Sequence, residues 1–516
     1  MKDAAPEGPV GAEGGAAGVD LYLAVASSGG RRAQVMSALR EAIRSGRLAP
    51  GTRLPPYRSL AADLGIARNT VAAAYAELVE EGWLTARQGS GTRVAQRAAA
   101  MPVERGAPMQ VERTAAMSVE RSTPMPVERT AAMHADRSTP KPVERGPFSA
   151  RRGSGRVLHD LQPSSPNAAA FPRADWVAST RRAMAAAPNE AFGVGDPRGR
   201  PELRGAVAEY LSRARGVRAD PGRIVITTGF AHGLHLLADA LDGPIAMEAY
   251  SLPYHRELLR DKGVRTVSIG VDTHGAVVEE LRDSPARAVL LTPAHQYPTG
   301  GPLHPERRVA VVDWIRSTGA FLLEDDYDGE FRYDREPVGA LQGLDPDRIV
   351  YLGSVSKSLS PALRVGWMVL PDTLIDRVLA VKEDREMWVS VIAELTLADF
   401  LCRGAYDRHL RRTRTTYRRR RALLVETLAR RAPHIRITGI AAGLHAVLEL
   451  PTGTEESTLR AARRLGLALD GLHRYRHPDA TVPARDGLVI GYGTPADHAF
   501  GPALEALCLA LPQPDR

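Results

Sequence analysis

The chain reads as a multidomain protein. A small N-terminal unit of three helices and a β-wing precedes a large α/β domain, which has a mostly parallel sheet and a smaller C-terminal α/β lobe. Three observations predict this. Apolar residues recur at helical spacing over the first part of the chain. An eight-residue repeat then interrupts the pattern, and beyond it short apolar runs alternate with helical stretches. With 516 residues, 44% of them hydrophobic, the chain has room for about three domain-sized units with real cores.

Residues 1–18 are rich in glycine and alanine and read as a disordered tail. Residues 19–95 form the first unit. Val35, Met36, Leu39 and Ile43 recur at helical spacing between Ala33 and Ser45, and Gly46 closes that helix. A second helix follows in LPPYRSLAADLG, and Gly65 makes the turn into ARNTVAAAYAELVEEG. Leu60, Leu64, Val71, Tyr75 and Leu78 are the expected core. Arg68, Asn69 and Thr70 stand at the open start of the third helix, where a helix-turn-helix unit meets DNA. WLTARQGSGTRVA supplies two short extended runs with Gly89 and Gly91, a β-wing carrying Thr92 and Arg93. A plain three-helix packing module would show the same spacing.

Residues 96–156 are a linker. MPVER, MQVER, MSVER, MPVER, MHADR and KPVER start at 101, 109, 117, 125, 133 and 141. That period fits neither helix nor strand, and recurrent prolines bar a continuous helix. One Met-Val pair per repeat buries too little for a stacked solenoid. A flexible chain of this length spans about 40 Å root mean square.

Residues 157–516 hold the α/β domain, with the small lobe from about 375 to 516. RIVITTG, PIAMEAY, RTVSIGV, ARAVLLTP, AFLLEDD, RIVYLGS and RVGWMVL are its expected strands. Ligands of open α/β sheets bind beyond the carboxyl ends of strands. Two motifs fall there: LLEDDYDGEF and GSVSKSLSPALRVG. Lys357 is one of five lysines among 68 basic residues. Arginine cannot form a Schiff base, so a lysine among Ser354, Ser356 and Ser358 points to an amine that must react. With Asp325 to hold a pyridinium nitrogen, Tyr327 to meet a ring oxygen, and serines plus Arg364 to take phosphate, the pattern describes a pyridoxal phosphate site. The amides of Phe230 and Ala231, opening the helix after TTG, add a phosphate-binding helix start. Each motif alone equally suits a solvated loop; their order along the sheet carries the reading.

The only cysteines are Cys402 and Cys508, which make neither a disulfide framework nor a metal cluster, so no metal is expected and a cytoplasmic setting is. No apolar run reaches membrane-spanning length, and the first residues lack a signal-peptide pattern. A net charge of +8 favours an anionic partner.

The stretch from LPPYRSLAADLG through GSGTRV resembles the winged helix-turn-helix of the GntR family. The resemblance implies a double-stranded DNA operator as partner, with Arg58 and Arg68 as leading contacts and Asn69, Thr70, Thr92 and Arg93 in support. Tyr57 and Ala67 stand where that family has serine, removing two helix caps. Residues from about 157 onward resemble the aspartate aminotransferase fold, fold type I of the pyridoxal phosphate enzymes, through EDDYDGEFRY, YLGSVSKSLSPALRVGW and TPAHQYPTGG. The combination resembles the MocR subfamily of transcriptional regulators. By that resemblance Lys357 is the aldimine lysine, the large domain is a sensor, and the assembly is a head-to-tail homodimer.

Two departures bear on function. Leu252, in MEAYSLPYHRE, replaces a ring-stacking tyrosine, with Tyr250 or Tyr254 as substitutes, and Val194 replaces another tyrosine. The expected function is a pyridoxal phosphate-dependent regulator that senses the cofactor, or an amine or amino acid effector, through Lys357. Arg474 in GLHRYRH is the candidate for an effector carboxylate. The alternative is a working aminotransferase with an accessory DNA-binding head. In HLRRTRTTYRRRR (409–421), one strongly solvated helix face explains the arginines more simply than a second DNA surface.

Overall fold

The computed structural model describes residues 30–44, 48, 51–52, 54–64, 66–87, 91–95, 157–163, 165–333, 339–384 and 388–513. The tail, Gly46, Gly65, Gly89 and the repeats lie outside the described residues.

The head consists of α1 (Arg31–Arg44), α2 (Tyr57–Asp63), α3 (Arg68–Glu80) and the antiparallel pair β1 (Leu84–Arg87) and β2 (Gly91–Val94). Its core closes around Leu39, Leu60, Val71, Tyr75, Leu78 and Trp83, all buried. Leu64 differs from expectation, since it only packs on that core from a partly exposed position. The Tyr75 hydroxyl donates to the Pro55 carbonyl at 3.0 Å, tying α3 to the segment before α2. Ala67 is the N-cap of α3 and makes no side-chain cap bond. Tyr57 is the first residue of α2.

The remaining elements, in chain order, begin with β3 (His159–Asp160), α4 (Arg173–Ala186), α5 (Pro201–Ala214), β4 (Ile224–Thr227), α6 (Phe230–Ala240), β5 (Ile245–Glu248) and α7 (Pro253–Asp261). Next come β6 (Thr266–Ile269), β7 (Val271–Asp272), β8 (Gly275–Ala276), β9 (Ala288–Leu291), α8 (Pro305–Thr318), β10 (Phe321–Asp325), β11 (Ile349–Ser354) and β12 (Gly366–Val369). The chain continues with α9 (Asp372–Asp384), α10 (Val391–Cys402), α11 (Ala405–Arg431), β13 (Arg436–Thr438), β14 (His445–Glu449) and α12 (Glu455–Arg464). It ends with β15 (Leu467–Ala468), β16 (Asp470–Gly471), β17 (Gly487–Gly491) and α13 (Asp497–Ala510).

All seven expected strands form one sheet in the order β4-β12-β11-β10-β9-β5-β6. Its neighbours pair in parallel except where β12 runs antiparallel to both β11 and β4. Strands β4, β5, β9 and β12 are buried at every residue, as a sheet covered by helices on both faces requires. One face packs Leu234, Leu237, Met247 and Leu352 under α6, and the other packs Val289, Val311, Ile315 and Leu322 under α8. The C-terminal lobe carries an antiparallel sheet, β13-β14-β17-β16.

Because β10 and β11 are parallel neighbours, with Asp325 opposite Leu352, their carboxyl ends emerge together. That brings the acidic motif and the serine-lysine turn to one edge of the sheet, as the order of strands predicted.

Candidate functional site

Asp325 ends β10 and is buried. Burial and the neighbouring Asp326 push its carboxyl well above the usual range, while the Lys357 charge pulls it back. Such a carboxylate is stabilised by any cation or proton-bearing nitrogen brought against it. The other acids of the run are already committed. Glu324 accepts the amides of Leu341 and Gln342 at 2.8 and 2.9 Å. Asp326 takes two guanidinium bonds from buried Arg215, at 2.6 and 2.9 Å, and one from the Tyr351 hydroxyl at 2.7 Å. Among these three consecutive acids, Asp325 is the one left to face Lys357.

Tyr327 follows, its hydroxyl 2.9 Å from His295 Nδ1, which is in turn 2.8 Å from Asp328 Oδ2. Burial and the Asp328 charge hold the phenol protonated. The Tyr297 ring meets Tyr327 edge-on at 5.4 Å, placing the HQYPTG turn against the same tyrosine. His445 joins from β14, 5.1 Å from His295 ring to ring. His295, Asp328 and His445 bring metal-ligating atoms close together. His295 Nδ1 is engaged by Asp328 and Tyr327, and His445 Nε2 lies 3.0 Å from the Pro298 carbonyl.

The region expected to take phosphate is shaped by two backbones. Gly229, at φ 116°, caps α6, so the amides of Phe230 and Ala231 open that helix. Arg364 has a left-handed backbone (φ 52°), and its guanidinium lies 3.6 Å from where a Gly229 Cβ would stand. Gly366 has to be glycine because its own Cβ would fall 2.9 Å from the Gly229 Cα. Ser354 ends β11 and, like Ser356 and Lys357, is partly exposed; Ser358 is buried. The Ser356 amide donates to Ser354 Oγ at 3.4 Å. A helix start, an arginine and two serines thus converge beside a lysine, which suits a phosphorylated aldehyde.

The residues expected around the ring fall less evenly. Leu252 caps α7 and packs in the same apolar cluster as Tyr327. Tyr250 is buried in that same cluster, its hydroxyl accepting the Arg485 amide at 3.2 Å. Tyr254 packs against the sheet core under α6. The stacked pair is instead Phe230 with His255, centroids 4.5 Å apart. Burial and the Lys357 charge push His255 down to about 3, so it presents a neutral ring. Val194 is fully exposed. Arg474 is exposed and bonded to Asp470 at 3.2 Å, while Asp470 also accepts the Tyr475 hydroxyl at 2.8 Å.

In the head, Arg58, Arg68 and Asn69 are exposed, and Thr70 is partly buried in the first turn of α3. Thr92 and Arg93 lie on β2; Arg93 donates to the Gly51 carbonyl at 3.0 Å.

Residues 31–94 match the family described as bacterial regulatory proteins, gntR family. Residues 163–465 match aminotransferase class I and II. The "Probable rhizopine catabolism regulatory protein MocR" of Rhizobium meliloti is 33% identical over 470 residues, 89% of each chain. The chain belongs to the MocR subfamily of GntR-type regulators. It is a DNA-binding transcriptional regulator with an aminotransferase-class domain. The pyridoxine biosynthesis transcriptional regulator PdxR of Corynebacterium glutamicum is 32% identical over 466 residues, covering 89% of this chain and 91% of that one. Among solved structures, the kynurenine aminotransferase of Pyrococcus horikoshii superposes with a TM-score of 0.64 at 22% identity, over 70% of this chain and 92% of that one. That likeness concerns the fold.

For this MocR-type chain, sequence reasoning passed over His255 and His445, and reached His295 only as part of TPAHQYPTGG. His255 sits three residues past Leu252, inside a segment already singled out, and its signal was an aromatic ring one helical turn from the missing tyrosine. His295 and His445 are 150 positions apart, and only the fold brings them together.

Proposed function

We propose that the large domain binds pyridoxal 5'-phosphate and that the state of its lysine sets the head's affinity for an operator. The observation that carries this reading is the meeting of Lys357, Asp325 and Tyr327 at one sheet edge, with Arg364 and the start of α6 beside them. When bound, the cofactor would supply a carbonyl able to exchange the lysine amine for that of an incoming molecule. The chain's own residues do the rest. Asp325 would hold a proton on the ring nitrogen, Tyr327 would meet the ring oxygen, and Ser354, Ser356, Arg364 and the amides of Phe230 and Ala231 would hold the phosphate. Leu252 and the Phe230–His255 stack would supply apolar and aromatic surface beside the ring. An amine or amino acid effector would compete with the Lys357 amine for that carbonyl, and Arg474 would leave Asp470 to meet its carboxylate. Arg58, Arg68, Asn69, Thr70, Thr92 and Arg93 contact the operator, within a head-to-tail homodimer in the cytoplasm.

The test is the visible absorption of the purified chain with pyridoxal phosphate, read beside operator binding. A band present in the native chain and missing in Lys357→Ala supports the cofactor site. Arg58→Ala should abolish specific DNA binding and leave that band unchanged; an unchanged footprint would sink the DNA assignment. Steady turnover of an amino donor and a keto acid, lost in Lys357→Ala, would favour an aminotransferase.

A further inference from the structure

We infer that the first two turns of α11 are the element through which the cofactor lysine and the DNA-binding head sense each other. The inference rests on the reading that the lysine edge takes pyridoxal phosphate.

Ser358 directly follows Lys357, is buried, and is held by α11 at two points. The Tyr406 hydroxyl lies 2.8 Å from its Oγ, hydroxyl to hydroxyl, and His409 Nε2 donates to its carbonyl at 2.7 Å. Tyr406 and His409 are three residues apart and lie on one helix face. The same two turns present Asp407 and Arg411, four residues apart, on an adjacent face. Those residues serve the head. Arg411 pairs with both Glu77 and Glu81. Asp407 takes two bonds from Arg213 of α5, at 2.9 and 3.0 Å; Arg213 also donates to the Glu81 carbonyl and covers the Trp83 ring at 4.9 Å. Glu81 is buried and is gripped from its own side by Arg40 at 2.8 and 3.1 Å. The Arg40 guanidinium in turn lies 3.5 Å from where a Cβ on Gly404, the cap of α11, would stand.

The head's contacts in this set meet α11 within the segment from Gly404 to Arg411, and the tether on the lysine turn lies inside the same segment. A second path runs parallel. Glu330, three residues past Tyr327, accepts the hydroxyls of Tyr406 and Tyr210 at 3.3 and 3.2 Å, and Tyr210 lies one turn before Arg213 on α5. A helix moves as a rigid rod, so a shift of Ser358 of a fraction of an ångström displaces Asp407 and Arg411 together. Ion pairs excluded from water respond steeply to such displacement. The arginine run of α11 thereby separates by role: Arg411 meets the head, Arg414 donates to the Glu330 carbonyl at 3.0 Å and Arg420 to Asp497 at 2.6 Å, while Arg412, Arg418 and Arg419 are solvated.

The test follows hydrogen exchange of α3 in the full chain, with and without pyridoxal phosphate, together with cofactor affinity from the visible band. The native chain should show cofactor-dependent exchange in α3. Arg411→Ala should keep the band, lose that dependence, and shift cofactor affinity by about fivefold or more, since coupling is reciprocal. Glu77→Gln, made on the head at the rim of the interface, should do the same without touching the large domain. Retention of the native cofactor response by both variants would overturn the coupling. So would a native chain that shows the band while exchange of α3 stays unchanged, and that outcome would leave the cofactor reading intact. A native chain with no band overturns the cofactor reading and the coupling with it.

Discussion

The guanidinium of Arg364 lies 3.6 Å from the position a side chain on Gly229 would occupy, so a positive charge and a helix N-terminus share one small space. Neither half of this arrangement is conformationally free. Gly229 has φ 116° and ψ 176°, a region open essentially to glycine, and Arg364 is itself left-handed. Backbone held this way is maintained by its surroundings, as a candidate binding site requires.

Gly229→Ala should therefore cost about 1 to 3 kcal/mol of stability from backbone strain and crowd the Arg364 guanidinium. Arg364→Ala should fold normally and weaken pyridoxal phosphate binding by about 10- to 100-fold, the worth of a charge-assisted hydrogen bond. Titration with pyridoxal, which lacks the phosphate, separates the causes. Equal losses for both compounds would show that Arg364 does not serve the phosphate.

Asp325→Asn should weaken cofactor binding and move the visible band while the fold stays intact. The buried carboxylate is displaced upward by burial and Asp326, and an asparagine of the same size removes the charge that a ring cation would neutralise. Asp326→Asn is the contrast: it leaves Arg215 buried without its anion, which should cost about 3 to 5 kcal/mol of stability. Thermal melts beside absorption spectra distinguish the two. Equal melting temperatures for both variants would contradict this division of roles.

Arg68→Ala should weaken operator binding and reduce the slope of log affinity against log salt by about 0.9 for each phosphate that the arginine neutralises. Arg68 is exposed at the first turn of α3, whose cap Ala67 offers no side-chain bond. Ala67→Ser should restore that cap and add about 0.5 to 2 kcal/mol to the helix. A salt slope unchanged in Arg68→Ala would place the residue off the backbone.

Much of this was readable in the chain. All seven strands followed from apolar runs between turn signals, and their order placed Asp325 and Lys357 at one edge, because parallel strands in one sheet end on the same side. The head's core followed from 3.6-residue spacing, apart from Leu64, which sits at its margin. Contacts between distant parts of the chain were not readable. Nothing local tells that Arg411 faces Glu81, 330 positions away, or that His409 reaches the residue after the lysine. A run of arginines has one composition whether its members are solvated or paired, and only burial separates them. The Leu252 segment shows the same limit, since the aromatic ring near the lysine comes from α7 and α6 packing together.

Glu330 ties these sites to pH. Burial and the Asp326 charge raise its carboxyl to about 7, above its value in an unfolded chain. Between those two values the folded chain holds the proton more tightly, so the contribution to stability is present at low pH and is lost as pH rises through about 7. Glu330→Gln keeps an oxygen acceptor for Tyr406 and Tyr210 and cannot ionise. Its stability should match the native chain near pH 4 and exceed it near pH 8, by an amount on the order of 1 to 2 kcal/mol after allowance for partial exposure, read from thermal or denaturant melts at each pH. Glu248 and Glu324 are raised in the same way and remain in both chains, so the difference between the two pH profiles isolates Glu330. If native chain and variant lose stability in parallel from pH 5 to pH 8, Glu330 is ionised throughout that range, and its two tyrosines are bonded to a permanent anion.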